Sequence, residues 1–149
     1  MMKTTHVLLV EDNEGDIVLT TEALQECKVI NDVSVVRNGK LALDFVFKKG
    51  DYDEVLSPDI ILLDINLPLK NGIEVLQTLK SDETTKHIPI IMLTTSSSES
   101  DVKKSYNHHA NAYITKPVDV SEFLQAILSL EDFWLNIVHL PANKNNDKR

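Results

Sequence analysis

The sequence predicts a doubly wound α/β fold, in which a five-stranded parallel sheet carries helices on both faces. Short apolar runs alternate with helix-length segments along the whole chain, and the connections between them are short. The run at 60–63 is apolar throughout, which is typical of a strand buried on both faces. Strict alternation of this kind requires parallel strands joined by right-handed crossovers, so few topologies are possible.

Five segments have strand character, either as continuous apolar runs or by alternation. They are residues 6–10, 31–36, 59–63, 88–93 and 112–115. Among doubly wound sheets we expect the order 2-1-3-4-5, which is that of flavodoxin.

The segments between the strands show helical spacing of apolar residues. Helices are predicted from residue 15 to about 28, from 39 to 49 and from 72 to about 80. The capping patterns Ser98-x-x-Asp101 and Asp119-x-x-Glu122 predict the starts of a fourth and a fifth helix. Five βα units result.

Length and composition limit the possible classes of protein. A chain of 149 residues suits one domain, which we expect over 5–139, followed by a disordered tail over 140–149. No apolar run approaches the roughly 18 residues of a membrane span, so no membrane association is expected. The net charge of −8 argues against direct nucleic-acid binding. The start of the chain has no signal-peptide character, and Cys27 is the single cysteine, so the cytoplasm is the expected compartment.

Acidic side chains follow two strands that should be neighbours in this sheet. Glu11 and Asp12 end the first strand, and Asp64 ends the third. Two carboxylates about 4 Å apart repel by about 4 kcal/mol at an effective dielectric constant of 20, and a cation relieves that repulsion. An open, all-oxygen cluster suits Mg²⁺, so the sequence predicts a magnesium site.

A hydroxyl and a lysine follow the two remaining strands at the same edge. Thr94 ends the fourth strand and can bond a phosphoryl oxygen, while Lys116 follows the fifth and supplies positive charge. Aspartate is a known covalent acceptor of phosphoryl groups. Together with the acidic cluster, these residues predict a phosphoryl-transfer site.

At these positions the chain resembles the receiver domain of two-component response regulators, over roughly residues 5–130. The resemblance rests on the acidic pair, on Asp64-x-x-x-Pro68-x-x-x-Gly72, and on the pair Lys116-Pro117. It implies the following roles: Asp64 as phosphoacceptor; Glu11, Asp12, Asp64 and the backbone carbonyl of Asn66 as metal ligands; Thr94 and Lys116 as phosphoryl contacts; and Tyr113 as an aromatic switch residue. Tyr113 would suit a core position equally well.

Two features are similar to regulators that work with phytochrome-type kinases. One is the lengthened segment 47–57, and the other is the ending Phe133-Trp134-Leu135 with a later Leu-Pro. The resemblance implies a sensor histidine kinase of that type as partner. One residue departs from the family pattern, since His109 stands where receivers usually place glycine; histidine tolerates a positive φ better than most residues.

Three other functions compete with this interpretation. A magnesium-dependent aspartyl-phosphate hydrolase of the haloacid dehalogenase type would carry a second aspartate where this chain has Asn66. A flavodoxin-like cofactor protein would need a non-acidic loop after the first strand. An unphosphorylated interaction module would not need the complete set of acidic, hydroxyl and lysine side chains.

The expected function is that of a stand-alone regulator rather than an enzyme. Beyond phosphotransfer and autodephosphorylation it should act through protein contacts, with a downstream target, a phosphotransfer protein or a second copy of itself. We expect a homodimer formed by the end of the fifth helix, where Phe133, Trp134 and Ile137 would be partly exposed in a monomer. The alternative is that this end packs back on its own domain.

Overall fold

The computed structural model describes residues 5–25, 31–94, 109–110 and 112–115. The predicted fourth and fifth helices and the predicted tail lie outside these residues. Within the described part of the chain, no helix combines the length and apolar character needed to cross a bilayer.

The described strands form one parallel sheet. The strands are β1 (Thr5–Val10), β2 (Asn31–Val36), β3 (Ile60–Leu63), β4 (Ile90–Thr94) and β5 (Ala112–Thr115). Their order is β2-β1-β3-β4-β5, which confirms the predicted topology. In β4 the strand begins and ends slightly later than predicted, a difference usual for the ends of elements.

Among the described residues, three helices and one short turn of 3₁₀ helix connect the first four strands. They are α1 (Glu14–Gln25), α2 (Gly39–Val46), α3 (Gly72–Ser81) and the 3₁₀ turn Gly50–Tyr52. Both α2 and α3 begin at an asparagine cap, Asn38 and Asn71, whose side chain accepts a backbone N–H of the first turn.

The predicted end of α2 at residue 49 was wrong. Lys48 adopts φ 57°, a left-handed conformation that stops the helix. The N–H of Lys49 donates to the carbonyl of Asp44 at 2.8 Å, and that of Lys48 donates to Phe45 at 3.2 Å. These two bonds form a Schellman motif, in which a lysine occupies the position that glycine usually takes.

The sheet separates two apolar clusters because side chains alternate along each strand. Leu8 and Val10 of β1 face α2 and α3, whereas Val7 and Leu9 face α1. All four residues of β3 are fully buried, as the sequence predicts for a central strand covered on both sides. The end of this rigid strand positions Asp64.

Candidate metal and phosphoacceptor site

Three carboxylates converge at the carboxyl edge of the sheet. Each of Glu11, Asp12 and Asp64 offers an oxygen atom, and these atoms all lie within 4.8 Å of one another. Val10 and Leu63 are paired in register, so both acidic segments leave the sheet at the same level. The N–H of Asp64 donates to the carbonyl of Val10 at 3.1 Å, which continues the ladder to the site itself.

The three carboxylates differ in burial. Glu11 is 2% exposed and Asp64 8%, whereas Asp12 is exposed. The Oε2 atom of Glu11 accepts the N–H groups of Asp12 at 3.1 Å and Asn13 at 3.2 Å. Hydrogen bonds to a carboxylate are stronger than neutral ones, so they hold Glu11 in place beneath the cluster.

The side chain of Asp64 is oriented by its own loop. Its Oδ1 atom accepts the N–H of Asn66 at 3.1 Å, as in an Asx turn. The family resemblance implied only a carbonyl ligand at Asn66 and did not predict this donor. An aspartate followed by a turn two residues later was the available signal.

Close backbone packing holds the loop between β3 and α3. A Cβ atom on Gly72 would lie 2.1 Å from the carbonyl oxygen of Asp64, and one on Gly39 would lie 1.9 Å from that of Lys70. The N–H of Gly72 donates to the carbonyl of Ile65 at 2.7 Å. Both glycines are therefore required by the approach of backbone to backbone.

One residue of this loop has a strained conformation that the sequence did not indicate. Leu69 adopts φ 69° and its side chain is 73% exposed. Left-handed backbone costs a residue with a Cβ roughly 1–2 kcal/mol, so the surrounding contacts must hold the turn. One such contact is the hydrogen bond from the N–H of Gly39 to the carbonyl of Pro68, at 3.3 Å.

The donor set fits a divalent cation. Carboxylates this close repel one another strongly, and an all-oxygen group with one exposed member leaves room for the water ligands that Mg²⁺ retains. When bound there, the cation would offset this charge and that of an incoming phosphoryl group.

The remaining predicted residues are only partly described. Thr94 is the last residue of β4 and pairs with Thr115, while Tyr113 pairs with Met92. The backbone of Thr94 therefore lies at the same edge of the sheet as Asp64, one strand away. Lys116 and the three residues of the predicted interface, Phe133, Trp134 and Ile137, lie outside the described residues. His109 adopts φ 68°, so the left-handed turn expected at this position is retained without glycine.

Comparison with known proteins agrees with this fold. Residues 7–128 match the family model described as the response regulator receiver domain. Response regulator Rcp1 of Synechocystis sp. is 40% identical over 136 residues, which cover 91% of this chain and 92% of Rcp1.

Two solved structures are similar in both fold and sequence. The phosphorylated cyanobacterial phytochrome response regulator RcpA has a TM-score of 0.86 and 44% identity, covering 89% of this chain and 95% of RcpA. The Mn²⁺-bound form of Rcp1 has a TM-score of 0.84 and 38% identity, covering 88% of this chain and 94% of Rcp1.

The parallel sheet, the acidic cluster at its carboxyl edge and the matched family model together define a phosphoaccepting signalling protein rather than a classical enzyme. The chain belongs to the response regulator receiver domain family, and its similarity to Rcp1 and RcpA places it beside phytochrome-associated regulators. It is a two-component regulator that is phosphorylated on aspartate, binds a divalent metal and works with a sensor histidine kinase. The hydrolase alternative receives no support from these relatives.

Proposed function

We propose that Asp64 is the phosphoacceptor and that it takes its phosphoryl group from a phosphohistidine of the partner kinase. The observation that carries this proposal is the meeting of three carboxylates within 4.8 Å, of which Asp64 alone terminates the central strand. Glu11, Asp12, Asp64 and the backbone carbonyl of Asn66 would hold Mg²⁺.

The transfer is a displacement at phosphorus. A carboxylate oxygen of Asp64 attacks the phosphorus atom while the P–N bond to the donor imidazole breaks. The electron pair of that bond stays on the imidazole, whose protonation makes it a neutral leaving group. In autodephosphorylation, water attacks the phosphorus of the acyl phosphate, releasing inorganic phosphate and restoring the carboxylate. Thr94 and Lys116 would contact the phosphoryl oxygens. As Thr94 moves towards the phosphoryl group, Tyr113 would move into the space that Thr94 releases.

The test is uptake of label from acetyl phosphate in the presence of Mg²⁺. Wild type should form an acyl phosphate, Asp64→Asn should form none, and Asp12→Asn should be slower because one metal ligand is lost. Asp51→Asn is the matched control, since Asp51 is an exposed carboxylate in the 3₁₀ turn, outside the acidic cluster. Labelling of Asp64→Asn at the wild-type rate would mean that another residue is the acceptor.

We propose a phytochrome-type kinase as the partner, on the basis of the phytochrome regulators to which this chain is similar. The output would be a phosphorylation-dependent change of surface that is recognised by a downstream protein, by a phosphotransfer protein or by a second copy of the chain. The receiver domain would span 5–139 and act alone, with 140–149 as a tail, and the protein would work in the cytoplasm. The family model, which matches residues 7–128, supports the receiver-domain part of this assignment.

A homodimer would use Phe133, Trp134 and Ile137. This part of the proposal rests on the excess of large apolar residues beyond the core anchors of the predicted fifth helix. Such residues are typical of interfaces because their burial on association stabilises the complex.

A further inference from the structure

A cavity of about 170 Å³ lies at the amino-terminal end of the sheet, away from the acidic cluster. It is lined by His6, Val7, Asp32, Ser34, Phe45, Val55, Leu56 and Pro58. Glu11 directly follows β1 and lies five residues after His6, which corresponds to roughly 16 Å at about 3.3 Å per residue. The cavity is thus a separate feature from the phosphoacceptor site.

One side of the cavity is apolar. Phe45 and Pro58 are buried, Val55 is half-buried, and Leu56 is 64% exposed at the rim. A cavity of roughly 150 Å³ is large enough for benzene. This cavity is partly open to solvent, and as a whole it has room for a body of about the size of one ring.

The other side carries polar groups from two paired strands. His6 and Asp32 are register partners, and Ser34 lies two residues further along the same face of β2. The Oδ2 atom of Asp32 is 3.9 Å from Nδ1 of His6, which is within ion-pair range when His6 is protonated but too long for a hydrogen bond, and the Asp32 side chain is 71% exposed. This carboxylate can accept hydrogen bonds from a ligand, and so can the Ser34 hydroxyl.

The walls of the cavity are held in place by hydrogen bonds and ring packing. The N–H of His6 donates to Oδ2 of Asp59 at 2.8 Å, and the N–H of Asp59 donates to the carbonyl of His6 at 2.7 Å. The rings of Phe45 and Tyr52 pack with centroids 5.2 Å apart. A preformed site loses less entropy on binding than a site that must first be ordered.

We propose that this cavity binds a small amphipathic cation, namely an ammonium group attached to an apolar body of one-ring size. The ring would lie against Phe45, Val55 and Pro58, and the ammonium would donate to Asp32 and Ser34. The net charge of −8 on the whole chain favours the approach of a cation over that of an anion. This binding is independent of the phosphorylation chemistry at the opposite edge.

The probe is 2-phenylethylamine, titrated into the full chain while backbone amide signals are recorded. The expected result is saturable shifts centred on His6, Val7, Asp32, Ser34 and Val55. 3-Phenylpropanoate has a similar ring and the opposite charge, and it should bind more weakly. Equal affinity for both compounds, or shifts that do not saturate, would overturn the proposal.

Two variants test the two halves of the site. Asp32→Asn should weaken amine binding about threefold, as expected for an exposed ion pair, whereas Asp51→Asn removes the same charge outside the cavity and should change nothing. Ser34→Val removes the hydroxyl and fills part of the cavity with apolar atoms, so binding of the amine should be lost. Valine favours strands, so the variant should still fold. Wild-type affinity in either cavity variant would contradict the proposed site.

Discussion

Gly72 approaches Asp64 so closely that its missing side chain is a structural requirement. A Cβ atom at residue 72 would lie 2.1 Å from the carbonyl oxygen of Asp64 and 2.7 Å from the Cα of Ile65. The contact joins the start of α3 to the end of β3, and so positions the candidate phosphoacceptor. The Asp-x-x-x-Pro-x-x-x-Gly spacing thus has a physical cause, because helix and strand backbones meet there.

Gly72→Ala should therefore lower the free energy of unfolding by about 1–3 kcal/mol or more, since the backbone must shift to admit the methyl group. Urea unfolding measures this change. Gly50→Ala is the control: it introduces a Cβ into open space at φ 61°, so only local strain of about 1 kcal/mol is added. If Gly72→Ala is no more destabilised than this control, the close contact is not important.

Mg²⁺ should stabilise wild type by about 2.7 kcal/mol at one hundred times its Kd, because it binds the native state. Asp64→Asn should be more stable than wild type without metal, since it removes one of three mutually repelling charges, and should gain less from Mg²⁺. Thermal unfolding with and without Mg²⁺ checks both effects. Asp51→Asn should keep the wild-type response, and equal metal stabilisation of Asp64→Asn would exclude this carboxylate as a ligand.

Thr94→Ala should leave phosphorylation largely intact and uncouple it from the change of surface. The backbone of Thr94 ends β4, the strand next to β3. A threonine hydroxyl bonds a phosphoryl oxygen only once that group is present, so the contact would differ between the two states. Amide signals before and after phosphorylation provide the measurement, with Lys116→Ala expected to weaken both steps. Identical phosphorylation-dependent shifts in wild type and Thr94→Ala would rule out this switch.

His109→Gly should raise the free energy of unfolding by up to about 1 kcal/mol. At φ 68° the left-handed backbone of His109 lowers the stability of the folded state by roughly 1–2 kcal/mol, and glycine avoids this strain. Glycine also makes the unfolded chain more flexible, which offsets part of the gain. His87→Gly is the matched control, because His87 is also exposed but is not among the residues with positive φ, and it should be destabilised. Chemical denaturation of wild type and both variants measures the free energies of unfolding. A loss of stability in His109→Gly would contradict the strain argument.

The homodimer proposal predicts that wild type is dimeric at tens of micromolar and that Trp134→Ala shifts it towards monomer. Tryptophan is enriched among residues whose truncation costs an interface more than about 2 kcal/mol. Light scattering on phosphorylated and unphosphorylated protein gives the mass. A monomeric wild type in both states would assign Trp134 to packing within its own domain.

The sequence alone predicted five parallel strands, with acidic side chains at the ends of the first and the third. The order expected for doubly wound sheets then predicted that Glu11, Asp12 and Asp64 meet, as they do. Apolar periodicity is a local property, and parallel strands necessarily bring their carboxyl ends to one edge. The tertiary structure alone decided that α2 ends at a left-handed Lys48, that Leu69 is strained, and that Asp32, Phe45 and Pro58 line one cavity. These features depend on contacts between segments far apart in the chain. Packing between these segments outweighs the local conformational preferences of the residues in them, so the local sequence pattern could not predict these features.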